Sequence, residues 1–263
     1  MNKNEAFDLA HDLSNIATDI LAQLDGLELK HNNLEDYFLG LLNRAKLILH
    51  DISIILKINH DTESVSALIL LRVLLDDFIR ALSIYSSGDR ENQLVLIQAN
   101  ALEHIIKSTK ENAYINSTLF QDTNSTISTQ QDYDDILHRI LNDPTFDNYF
   151  SDKNNIPIPK FKSPTAIGNI FKHLMRDNDY AAASIHSYVL YKELSRHVHY
   201  ANFSFPYPNE QVQKELENNM LEEAFFYCYK MLLVYCSFFA KTYTIVWNDK
   251  RVTAYFFERT SMN

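Results

Sequence analysis

The chain has 263 residues, 46 % of them hydrophobic and 22 % charged, with a formal net charge of −10 and a pI near 5.4. Such a composition supplies a sizeable core, and the acidic balance opposes a broad nucleic-acid surface, because a phosphate backbone demands a basic footprint. Four glycines and six prolines are too few for turn-rich β sandwiches or dinucleotide-binding α/β folds, and they favour long helices with few connections.

Residues 4–25 carry Ala6, Leu9, Leu13, Ile16, Ile20 and Leu24 at helical spacing, and Gly26 is the expected stop. A second helix is expected over 33–57, with Tyr37, Leu41, Leu42, Ala45, Ile48, Leu49, Ile52 and Ile55 on its buried side. The third, over 62–86, is apolar almost all round: Leu68, Leu71, Leu74, Leu75, Phe78, Ile79 and Leu82 cover most of its circumference. Only Ser66, Asp77 and Arg80 fall in a sector expected to be wet, whereas Arg72 and Asp76 fall on the apolar side. A fourth helix is expected over 90–113. The Ser-, Thr- and Asn-rich residues 115–131 read as a mobile surface loop.

A short helix from Tyr133 to Leu141 precedes a stretch broken by Pro144, Pro157 and Pro159. Ser163-Pro164 opens a helix to about Met175. Between Lys153 and Arg176 there is no acidic residue, and Lys160, Lys162 and Lys172 make this the one positive island of the chain. The next helix, 178–199, ends before a loop with Pro206 and Pro208; the last is expected over 209–247. Its apolar part, Ala224 to Val246, is interrupted by Lys230 and Lys241 and follows a polar third, so a buried bundle helix is expected and no membrane span. Cys228 and Cys236 lie about 12 Å apart along a helix, too far for a mutual disulfide, and read as reduced core thiols. No signal peptide is visible, and the expected location is cytoplasmic. The expected architecture is all-α: one domain over 1–263, a helical bundle of about six to eight helices with 62–86 and 209–247 at its centre.

The 178–199 helix concentrates the chemistry. At 100° per residue Tyr188, Tyr191, Ser195 and His199 form one stripe beside Leu190, Leu194 and Val198, with Lys192, Glu193 and Arg196 on the solvated side. Phenols, a hydroxyl and an imidazole in line at a core margin bind a polar ligand or relay a proton; they also serve simply as a satisfied polar seam. Arg72 and Asp76, four apart on the inner side of the third helix, can pair with each other or can hold an anion in a cleft. No metal site is expected: His197 and His199 point apart while helical, and neither His-Glu-x-x-His nor Cys-x-x-Cys is present. Phosphate-loop and serine-hydrolase motifs are absent too, and no cofactor is expected.

Leu70-Leu-Arg72-Val-Leu-Leu-Asp76 and Tyr191-Lys-Glu-Leu-Ser195-Arg-His-Val-His199 resemble a bacterial all-α family of unknown function, over roughly residues 35–245. There a central helix carries Arg-x-x-x-acid and a later one Tyr-x-x-x-Ser-x-x-x-His; the resemblance implies a helical bundle with a common site. A more distant comparison is to the HEPN domains, many of them metal-independent RNases of toxin and antiphage systems, whose hallmark is Arg, four to six residues, then His. Arg44 and His50 fit that spacing, but mid-helix it turns them about 120° apart.

The leading expectation is a binding or regulatory module with a polar pocket formed by Arg72, Asp76, Tyr188, Tyr191, Ser195, Arg196 and His199, for a small anionic or nucleotide-like ligand. The alternative is a HEPN-like RNase, with His199 as acid/base, Arg72 or Arg196 on the phosphate and the 153–176 island steering RNA, against which the net charge argues. The third reading is a scaffold that forms a homodimer through the aromatic surface of the last helix.

Overall fold

The computed structural model describes residues 3–58, 64–155, 159–163, 170–171, 181–199, 210–247 and 249–260; for residues 3, 64–65, 181–185, 196–199, 210–214, 216–217 and 257–260 this extends to the backbone alone. The described residues are all-α apart from one small ribbon. They form α1 (Lys3–Asp25), α2 (Asn33–Ile58), α3 (Ser64–Ser86), α4 (Arg90–Leu119), α5 (Gln130–Asn142), a 3-10 turn (Pro144–Tyr149), β1 (Phe150–Asp152), β2 (Lys160–Phe161), α6 (Ala181–His199), α7 (Glu210–Ala240) and α8 (Arg251–Thr260). Packing gathers the chain into two compact units, Met1–Ser86 with Ile167–Asn263, and Ser87–Ala166.

The first unit is a helical bundle. The α1 stripe from Ala6 to Leu24 is buried and packs along α2, and Ser14 Oγ donates to the Lys46 carbonyl at 3.0 Å to fix the pair. Each fully buried leucine or isoleucine of that stripe stabilises by roughly 1.5–3 kcal/mol relative to exposure. α3 is flanked by α2, α6 and α7, and Leu68, Leu71, Leu74, Leu75, Phe78, Ile79 and Leu82 are all buried, while Ile69, Leu70 and Val73 are half-buried. α7 presents Leu221, Phe225, Cys228, Leu232, Tyr235 and Phe239 at spacings of three and four, each of them buried. Both cysteines are free, as their spacing requires. No helix among the described residues is long and apolar enough to cross a membrane.

The last helix stops short of its expected end. α7 terminates at Ala240, where the N–H groups of Thr242 and Tyr243 both bond the Phe239 carbonyl. The run Thr242 to Val246 is rich in β-branched residues, which restrict their side chains in a helix. Tertiary partners hold it instead. Gln23 and Val246 exchange two hydrogen bonds, at 3.0 and 2.8 Å, and the Tyr243 hydroxyl donates to Glu35 at 2.9 Å. Asp249 then caps a further helix, α8, accepting from the N–H groups of Arg251, Val252 and Thr253, and Val252 and Phe256 bury its inner face.

The second unit packs α4 and α5 around Ile106, Ala113, Tyr133, Ile140, Phe150 and Phe161. β1 and β2 pair antiparallel with an irregular register, and the facing Phe150 and Phe161 rings lie 4.8 Å apart. Thr129 and Asp132 form a capping box at the start of α5. The polar residues expected as loop from 115 begin later, because α4 continues to Leu119. Asn116 is fully buried, and its amide donates to the carbonyls of Asn124, Ile127 and Ser128 at 3.1, 3.0 and 3.4 Å. Replacing it with alanine takes the shared amide from the Ile127 and Ser128 carbonyls and leaves Asn124's with the Ile127 N–H alone; Asn116→Ala is expected to lower the stability of this unit by roughly 2 kcal/mol and to raise amide exchange across 120–129, measured by hydrogen exchange.

Candidate functional site

α3 and α6 lie side by side, and the two signatures meet there. The Arg72 Nη2 donates to the Tyr191 hydroxyl at 2.7 Å, and its Nε donates to Ser195 Oγ at 3.4 Å. The guanidinium carbon sits 4.6 Å from the Tyr191 ring centroid, so the cation also lies against the phenol face. Leu190 and Leu194, buried beside Tyr191 and Ser195, fix the rotation of α6 that brings this stripe onto α3.

The proton inventory is one-sided. Ser195 Oγ donates its own hydrogen to the Tyr191 carbonyl at 2.6 Å and receives from Arg72. Tyr191 accepts from Arg72, which leaves its O–H able to donate. A guanidinium carries five N–H donors, of which these contacts engage two. Among the described residues no carboxylate forms an ion pair with Arg72. The cluster therefore holds unused N–H donors and no anionic acceptor, which is the chemistry of an anion or carbonyl-oxygen site.

Asp76 does not pair with Arg72. Its Oδ2 takes Arg80 Nε at 3.0 Å, one turn further on. Burial opposes the Arg80 charge, but Asp76 outweighs it through charge and hydrogen bond, so the guanidinium is held above its usual range. Tyr188 turns away too: its ring packs on Phe171 at 4.6 Å, with the Lys192 ammonium 5.5 Å over it. Glu193, expected in solvent, is half-buried. The side chains of Arg196, His197 and His199 lie outside the described residues, as do the 202–208 loop and most of the helix expected over 163–175.

The wet sector expected on α3 is overturned at two of its three positions. Ser66 is exposed, but Asp77 is only 5 % exposed and Arg80 is half-buried. Asp77 Oδ1 lies 3.4 Å from Arg44 on α2, while its Oδ2 is buried without a hydrogen-bond partner, as is the hydroxyl of Tyr235 on α7. Burial chiefly, with Asp76 adding and Arg44 opposing, pushes the Asp77 carboxyl up to about 6. Burial and the Asp77 charge push the Tyr37 phenol up to about 12. The signal that could have found this group is the apolar wrap of the helix: where nearly every face is apolar, an acidic residue has little wet side to occupy.

No family model, no curated protein and no solved structure matches this chain. The chemistry rests on its own residues. Arg44 is engaged by Asp77, and His50 is exposed on the same helix. Among the described residues no three His, Cys, Asp or Glu side chains gather as a metal site. Burial pushes both cysteine thiols up, away from nucleophilic thiolate. Of the basic island, Lys153 is paired with Asp147 and Lys160 is exposed; Lys172 and Arg176 lie outside the described residues.

Proposed function

We propose that the chain is a binding or regulatory module that holds a small anionic or nucleotide-like ligand at Arg72, Tyr191 and Ser195. One observation carries the reading: a half-buried guanidinium, fixed in orientation by two neutral hydroxyl groups and an aromatic face, with no carboxylate paired to it among the described residues. An arginine kept for structure alone more often ends on a carboxylate, because burial of an unpaired charge is costly. Here the side chain is oriented in advance, so an arriving carboxylate or phosphate gains charge-assisted hydrogen bonds without the cost of ordering it.

Mass spectrometry of small molecules that co-purify with the protein identifies the ligand class directly. Titration calorimetry with sulfate, carboxylates and nucleoside monophosphates measures the site. Arg72→Gln is expected to weaken anion binding by tenfold or more, and Tyr191→Phe, which removes both the anchor and a donor, by roughly three- to tenfold. Equal binding by wild type and Arg72→Gln would sink the reading. The HEPN-like RNase reading draws less support, since the net charge of −10 opposes an RNA surface; RNA left intact by wild type and by His199→Ala alike removes it. The scaffold reading predicts a concentration-dependent dimer in sedimentation.

A further inference from the structure

Resting on the anion-site reading, we infer that the affinity of Arg72 for its ligand is set by protonation of Asp77, so that the site binds anions more tightly as pH falls. α3 carries Arg72, Asp76, Asp77 and Arg80 within about two and a half turns. The Asp77 carboxyl faces Tyr37 and Arg44 from α2, Tyr235 with Cys228 behind it from α7, and Asp76 and Arg80 from its own helix. No histidine is among these groups, so the carboxyl is the member that titrates in the mildly acidic range.

The charge arithmetic is short. Arg44, Arg72 and Arg80 against Asp76 and Asp77 leave one net positive charge; with Asp77 protonated they leave two. The geometry makes that protonation accessible. One oxygen of Asp77 is buried with no hydrogen-bond partner, so ionisation leaves an uncompensated negative charge there, which a proton removes. Arg44, which pairs with the other oxygen at 3.4 Å, is itself half exposed, so solvent screens its attraction. Asp77 lies five residues from Arg72, about 8 Å along the helix axis and about 140° around it, so their charges are separated by more than that rise. Removing a unit charge at that range, near the surface and partly screened, changes the affinity for a dianion by roughly five- to tenfold.

Sulfate is the probe, because it stays a dianion across the range in which phosphate titrates. Calorimetry at low ionic strength is run at closely spaced pH values from about pH 5 to about pH 7.5 on wild type, Asp77→Asn and Arg44→Met. Wild type is expected to bind sulfate roughly five- to tenfold tighter at the lower pH. Asp77→Asn is expected to bind equally at both ends of the range, near the tighter value. Arg44→Met removes the cation that favours ionised Asp77, so its midpoint moves to higher pH; this second variant decides the matter should Asp77→Asn not fold. Sulfate binding that is the same at both ends of the range in wild type, a pH dependence that survives in Asp77→Asn, or an unmoved midpoint in Arg44→Met overturns the inference while leaving the anion site standing. Absence of sulfate binding at every pH in folded protein overturns the anion-site reading itself.

Discussion

Phe38→Ala is expected to lower the stability of the first unit by roughly 4 kcal/mol, at the upper end of what a large-to-small core change costs. The ring is fully buried on α2 and stacks on Phe238 at 4.0 Å with an interplanar angle of 11°. Its edge meets Tyr235 at 5.9 Å and 80°. Truncation therefore removes three aromatic contacts, with Phe238, Tyr235 and the neighbouring Tyr37, each worth about 0.5–1.5 kcal/mol beyond burial, and leaves a void. That void cannot close easily, because Phe238, Phe239 and Tyr235 all belong to one rigid stretch of α7. Phe38→Leu refills most of the space and is expected to cost about half as much. Urea denaturation followed by circular dichroism measures both. Near-equal midpoints for wild type and Phe38→Ala would mean that α7 does not depend on α2 for its seat.

The helices were legible because apolar spacing is a strong local signal, and the long ones carry it over six or more turns. What was not legible depended on partners far away in sequence. The end of α7 is decided by Gln23 and Glu35, more than two hundred residues upstream. α8 was missed although Asp249 before Val252 and Phe256 is a capping residue ahead of an apolar i, i+4 pair. The separate packing of Ser87–Ala166 leaves no compositional mark, because the turn Ser87-Gly88-Asp89 that begins it is no more polar than an ordinary helix connection.

The cluster at Arg72 shows the same division. Its meeting with Tyr191 and Ser195 could be expected because both stripes face the core side of their helices. The partner of Asp76 was misjudged for a reason the sequence does contain. Arg72 and Arg80 stand equally far from it, four residues before and four after. An acidic residue placed N-terminal to its basic partner has the better geometry and suits the helix dipole, which favours Arg80. Asp77 required more than a helical wheel: the wheel finds its sector polar, but Arg44 and Tyr235 cover that sector from two other helices.

Asp77 also ties stability to pH. Its carboxyl titrates at about 6 in the fold against 3.8 for an unperturbed side chain, so the native state holds the proton more tightly than the unfolded chain. The sign follows from linkage: the stabilisation is fully present below the unfolded value and is lost as pH rises through the folded one. The whole difference is about 3 kcal/mol, and about 2 kcal/mol of it falls between pH 4.5 and 7.5. Asp77→Asn keeps the shape and removes the titration. Relative to wild type, the variant is therefore expected to gain about 2 kcal/mol as the pH is raised across that window, whatever its offset at the acid end. Comparing the two proteins cancels every other titrating group, including Asp12 and Glu223, whose carboxyls burial also pushes up. Urea midpoints at closely spaced pH values read the difference directly. A constant gap between wild type and variant would place the Asp77 proton outside this range, and a gap that moved the opposite way would mean that Arg44 holds the carboxylate ionised in the fold.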